Sequence, residues 1–152
     1  MAYVTAEARQ QLLDTVAEAT DEIGSALASL GAAYELLDEQ TANTLEEQLF
    51  RPVQVAYGRA KRTHDGFAER FGLAHRAFAP MAAGSASRGV PGLLEHAVEA
   101  VGEADFILAA LQDSMQPVEV GDAELRAGIA EVRERVGDLR GRARELVRIL
   151  GR

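Results

Sequence analysis

Between Leu13 and Thr41 one set of positions recurs at alternating intervals of three and four: Leu13, Val16, Thr20, Ile23, Leu27, Leu30, Tyr34, Leu37 and Thr41. A 3.5-residue period lays a single stripe along one helix face and calls for a partner helix against it. The positions beside the stripe are small, with Ala17, Gly24 and Gly31 on one side and Ala19, Ala26 and Ala33 on the other. Small flanks let a neighbouring backbone approach toward the short end of the usual range of about 8–10 Å between axes. With Thr5 as N-cap and Glu7 in the first turn, the pattern predicts a helix over about 6–40.

After a connection at Thr41-Ala42-Asn43, Thr44 and Glu47 have capping-box spacing and open a second helix over about 45–78. Its apolar positions run from Leu45 through Leu49, Val53, Phe67 and Phe71 to Phe78, close to the period of a straight helix. Pro52 predicts a kink or break near Phe50, or a new helix opening at the proline. Residues 80–92 hold two prolines, three glycines and two serines and read as the longest loop. Leu94, Ala97, Val101, Ala104, Leu108, Leu111 and Met115 stripe a third helix over about 92–115. Asp122 caps a fourth over about 123–150, striped by Leu125, Ile129, Val132, Val136, Leu139, Ala143, Leu146 and Leu150. The expectation is all-α: one domain over 1–152, an antiparallel up-and-down four-helix bundle with a longer first hairpin.

Composition agrees. Aromatics are only 5% of the chain and tryptophan is absent, while Ala, Leu, Glu and Arg dominate. Zero cysteines remove thiolate chemistry and disulfides and suit a reducing compartment. The first residues lack a basic region followed by an apolar core, and no apolar run is long enough for a membrane span, so the expected setting is cytoplasmic with no membrane partner.

Charge is uneven along the chain, with a total of −8. Residues 1–50 carry ten acids against one base, 51–80 six bases against two acids, 81–121 six acids against one base, and 122–152 eight bases against six acids. If consecutive helices are neighbours, acidic faces meet basic ones and wrong pairings are disfavoured.

Candidates for chemistry are few. No glutamate has a histidine three residues later and no H-E-x-x-H occurs. In the up-down register His75 at the end of helix 2 faces His96 at the start of helix 3, with Glu95 and Glu99 close by, a donor set suited to a divalent metal. Asp105 interrupts an apolar run, and His64 or Arg59 on helix 2 stands at its level, so these three form a ligand-binding candidate or an ion pair that fixes register. Ser85 and Ser87 have no nucleophile elbow around them. The basic cluster Arg59-Ala60-Lys61-Arg62 is the one feature that nucleic acid would use, and the net charge opposes it. The arginine-rich last helix is interleaved with acids, as solvated helices are.

The unequal helix lengths leave the first hairpin overhanging by about ten residues. The overhang would expose Tyr34, Leu37, Leu45, Leu49, Phe50 and Val53, and Phe106 with Ile107 widens the apolar face of helix 3. The functional expectation is a non-enzymatic helical interaction or scaffold protein that forms a homodimer through these residues, with no cofactor. The competing expectation is a bundle that binds a small ligand or divalent metal at its His75/His96 end.

Overall fold

The computed structural model describes residues 2–150, and every regular element among them is helical. The all-α expectation holds. Helix α1 spans Ala2–Glu35, and α2 (Glu39–Leu45) passes through a π turn at Glu46–Phe50 into α3 (Arg51–Arg70). A 3-10 turn at Ala86–Arg88 precedes α4 (Gly89–Asp113). The short α5 (Gln116–Glu119) follows, and α6 (Ala123–Gly137) and α7 (Leu139–Leu150) complete the order.

Local chemistry moves several expected boundaries. The chain is already helical from Ala2, so Thr5 is not the cap of α1. The connection after α1 lies at residues 36–38, because Asp38 caps α2 by accepting from the Thr41 amide at 2.9 Å and the Thr41 hydroxyl at 3.0 Å. Thr44 is therefore inside a helix, donating its hydroxyl back to the Gln40 carbonyl at 3.2 Å, and heads no capping box. At Pro52 the rod neither breaks nor restarts. The Arg51 amide bonds to the Glu46 carbonyl five residues back, one wider turn that accommodates the residue without an amide while the flanking backbone stays αR.

Helix α3 stops at Arg70, eight residues before the expected end. Gly72 takes a φ of +65°, the Leu73 amide bonds to the Ala68 carbonyl at 2.8 Å, and the Gly72 amide lies 3.4 Å from the Glu69 carbonyl. This 6→1 and 5→2 pair terminates a helix at a glycine that tolerates the left-handed conformation. Asp122 does cap α6, accepting from the Leu125 amide at 2.8 Å. The last rod is interrupted at Asp138, beside Gly137, a poor helix former.

Cross-helix contacts give the directions. Along α1 and α4, Arg9 donates to the Val120 carbonyl at 3.0 Å at one end while Ser29 meets His96 at 2.7 Å at the other. Along α3 and α6, Arg70 pairs with Asp122 at 2.5 Å, and Arg59 pairs with Glu131 about three turns higher. Helix α1 thus packs antiparallel to both α3 and α4, and α6 and α7 run antiparallel to α3 and α4. Helices α3 and α4 point the same way and sit diagonally. The segment 71–88 climbs back along α1 between them: Arg76 reaches Asp21 at 2.6 Å, and the Gly84 amide reaches Ser29 Oγ at 2.8 Å. It is a crossover strap, where an up-down bundle would have a hairpin loop.

The strap overturns two expectations. It returns the chain to the far end before α4 begins, so the first hairpin does not overhang. Leu45, Leu49 and Val53 are buried within the chain, where Leu139 and Ala143 join them. Phe50 and Leu37 are half-buried against the core, and Tyr34 is exposed, as expected, at 36%. Of the expected interface only Phe106 stays strongly exposed, at 68%, with Ile107 half-buried beside it. The strap also changes neighbours, so acidic α1 makes its most extensive contact with acidic α4, and basic α3 lies on α6, whose three acids and three bases balance.

The α1 stripe is broader than one seam. Leu13, Val16, Thr20, Ile23 and Leu30 are buried, as are Leu12, Ala19, Ala26 and Ala33. Ala19, Ala26 and Ala33 share a face with Ser29, which meets α4, while Tyr57 of α3 and Met81 of the strap would stand 3.1 and 3.3 Å from a Cβ at Gly24. At the α3–α6 crossing, a Cβ on Gly128 would stand 2.2 Å from Thr63 Oγ1 and 2.9 Å from its Cβ. Gly128→Ala should therefore lower the thermal midpoint by several degrees, at a cost of about 1–3 kcal/mol. Gly141→Ala, with nothing within 4 Å of its added methyl, should be neutral or slightly stabilising in the same melts.

Candidate functional site

The two histidines expected to face each other are apart. His75 lies on the strap next to Arg76, whose side chain reaches Asp21, whereas His96 bonds to Ser29 two turns further along α1, about 12 Å at 1.5 Å per residue. Glu95 points to solvent toward Arg88 at 3.9 Å, and Glu99 is exposed. No group of three or more potential metal ligands converges among the described residues. The metal set His75, His96, Glu95 and Glu99 is not assembled, because the crossover places the end of α3 and the start of α4 at opposite ends of the bundle.

The ligand trio is also divided. Asp105 receives Arg133 Nε at 2.8 Å, and the same guanidinium donates to Gln112 Oε1 at 2.8 Å, so the carboxylate locks α4 to α6. Arg59 pairs with Glu131 instead. His64 is 2% exposed, donates through Nδ1 to Asp65 Oδ1 at 3.0 Å, and packs edge-on to Phe78 of the strap with ring centres 4.9 Å apart. Asp105 acts in structure as a register pair, with Arg133 in place of either expected partner.

What the structure does assemble is a polar clasp that sequence reasoning passed over. Ser29 is fully buried on α1, its Oγ accepts the Gly84 amide at 2.8 Å, and the same oxygen is 2.7 Å from His96 Nδ1. With the Gly84 amide on one lone pair, the Ser29 hydroxyl still has a proton and a second lone pair for its contact with His96 Nδ1, in which either group can donate. The serine has no access to solvent, so the clasp holds the strap to α1 and α4 and does not present a nucleophile. Its one sequence sign was that Ser29 falls on the Ala19/Ala26/Ala33 face. The partner 55 residues away carried none.

On the same seam a carboxylate is strained. Burial pushes the Glu22 carboxyl above the usual range, repulsion from Glu103 and Glu18 adds to this, and His96 opposes it. At the other end the Arg70 guanidinium holds Asp122 below the usual carboxylate range. The basic cluster is partly consumed: Arg59 is ion-paired and the Lys61 ammonium lies 4.4 Å over the Tyr57 ring.

Open depressions mark the surface, and two of them have apolar residues among charged ones. The larger, about 920 Å³, separates the start of α3 from α6 and α7, with Pro52, Val55, Ala127 and Ala130 on its floor and charges of both signs on its walls. The smaller, about 330 Å³, lies between α4 and α7, with an apolar floor, glutamates on the α4 rim and Arg144 on the α7 rim. Inside the bundle, the spaces beside Thr20 and Thr63 and beside Leu49 and Val53 are about 10 Å³ each, room for a single water at most.

Ser29→Ala should leave the Gly84 amide without its acceptor, costing about 1–3 kcal/mol in urea unfolding and accelerating exchange of that amide. Unchanged protection at Gly84 would show that the clasp does not hold the strap. For Glu22 the folded chain holds its proton more tightly than the unfolded chain, so the penalty appears as pH rises above the ordinary glutamate value of 4.5 and is absent below it. Glu22→Gln should stabilise at neutral pH by less than about 1 kcal/mol, the gain disappearing in melts at acidic pH. No protein-family model, curated protein or solved structure matches the chain.

Proposed function

We propose that the chain is a non-enzymatic helical interaction module that self-associates, using the outward face of α4. The observation that carries this reading is Phe106, 68% exposed on a long helix, while the phenylalanines Phe50, Phe67 and Phe71 elsewhere in the chain are drawn wholly or partly into the core. Full exposure of a phenylalanine forgoes about 1.5–3 kcal/mol of burial that a partner surface would recover. The filled interior supports the same reading: the polar groups that reach inward, Thr20, Ser29, Thr63 and His64, are each engaged in hydrogen bonds within the chain. The features left for recognition are surface ones.

Multi-angle light scattering over a dilution series tests this. The expected result is a two-chain mass at high concentration that dissociates on dilution. Phe106→Ser should raise the dissociation constant at least about tenfold with no loss of helix content. A strict monomer at the highest attainable concentration overturns the proposal.

A further inference from the structure

We infer that the α4/α7 face is a two-fold symmetric contact in which the glutamate ridge of α4 lies on the arginine ridge of α7 of a second copy. This deepens the self-association reading and rests on it. Glu95, Glu99 and Glu103 follow one another at intervals of four on α4, and Arg140, Arg144 and Arg148 do the same on α7. A spacing of four aligns each trio as a ridge along its helix. The two helices are antiparallel neighbours, and their levels match. A Cβ on Gly102 would stand 2.7 Å from Arg140 Nη2, which puts Arg140 beside Glu103 in height. Arg144 and Glu99 face each other across the 330 Å³ crevice, and the shared spacing then sets Arg148 level with Glu95.

These opposite ridges do not satisfy each other within one chain. Among the described residues Glu99, Glu103, Arg140 and Arg144 form no ion pair. Glu95 reaches only Arg88, at 3.9 Å, and Arg148 holds an exposed Glu145 one turn back on its own helix. Glu103 is further crowded by Glu22, so cations from outside would be welcome there. Between the ridges the half-buried Val98 and Val147 lie over the buried Leu94 and Ala143, and Phe106 continues the outward face of α4 about 10 Å beyond Glu99.

Symmetry turns this layout into a self-complementary surface. A two-fold axis lying between two such faces and parallel to the helices sets each α4 over the partner's α7 and leaves every level unchanged. Each glutamate then meets an arginine of the other copy, in register and twice over, while the apolar floors close on each other. That is the condition for an isologous interface. A two-fold axis across the helices would instead set glutamate on glutamate, which selects the first arrangement.

The test uses the full chain in two charge-reversed forms, Glu99→Arg/Glu103→Arg and Arg140→Glu/Arg144→Glu. Each alone should be monomeric by light scattering, with its affinity reduced at least about a hundredfold by like charges brought together. Mixed in equal amounts they should form a one-to-one heterodimer, because all the pairs are then opposite in sign again; two misfolded variants could not do so. As a measurement free of substitutions, raising salt from about 0.05 to about 0.5 M should weaken the wild-type dimer several-fold. A wild-type dimer that both variants retain, or whose affinity ignores salt, overturns this contact and leaves self-association standing. A wild-type monomer overturns both.

Discussion

Close approach of α1 and α4 is the constraint on which the rest of the structure depends. Both helices are long and both come from acidic stretches; burial first, and repulsion from Glu103 and Glu18 second, raise the Glu22 carboxyl on this seam. They nevertheless make the most extensive contact in the molecule, because Ala19, Ala26 and Ala33 of α1 and Ala97, Ala100 and Ala104 of α4 are all buried small residues. Burial of apolar surface at about 25 cal/mol per Å² outweighs repulsion between partly solvated charges, each exposed pair of which is worth about 1 kcal/mol or less. Packing chooses the neighbours, and charge is left to adjust.

The strap makes that contact available. A glycine that accepts a left-handed backbone ends α3 at Gly72, and the chain then climbs the length of the bundle before α4 can start. Its anchors differ in kind: an ion pair at Arg76, an aromatic edge at Phe78 and a buried hydrogen bond at Gly84. Two of the three histidines, His64 and His96, serve as seats for this segment. Their chemistry is spent on holding a connection in place, His64 fully buried and His96 partly so.

Interhelical ion pairs then act as register marks. Arg59–Glu131 and Arg70–Asp122 join α3 to α6, and Arg133–Asp105 joins α6 to α4. These pairs link a basic α3 to a charge-balanced α6, and α6 to an acidic α4, so block charge was a poor guide to adjacency and individual residues a better one.

The amino-acid sequence by itself determined the helical class, the capping of the last rod by Asp122 and most of the buried positions, since periodicity and local hydrogen-bonding chemistry act within a few residues. It also marked Asp105 as a carboxylate that needed a partner, and the partner exists. Tertiary structure alone decided which helices are neighbours, where the first hairpin tip is covered, that Arg133 is the partner of Asp105, and that Ser29 meets Gly84 and His96. The physical reason is the same in each case. A connection of 18 residues can either turn back at once or traverse the bundle, and the choice rests on the summed packing of α1 against α4. That sum is a property of surfaces far apart in the chain, which no local pattern records.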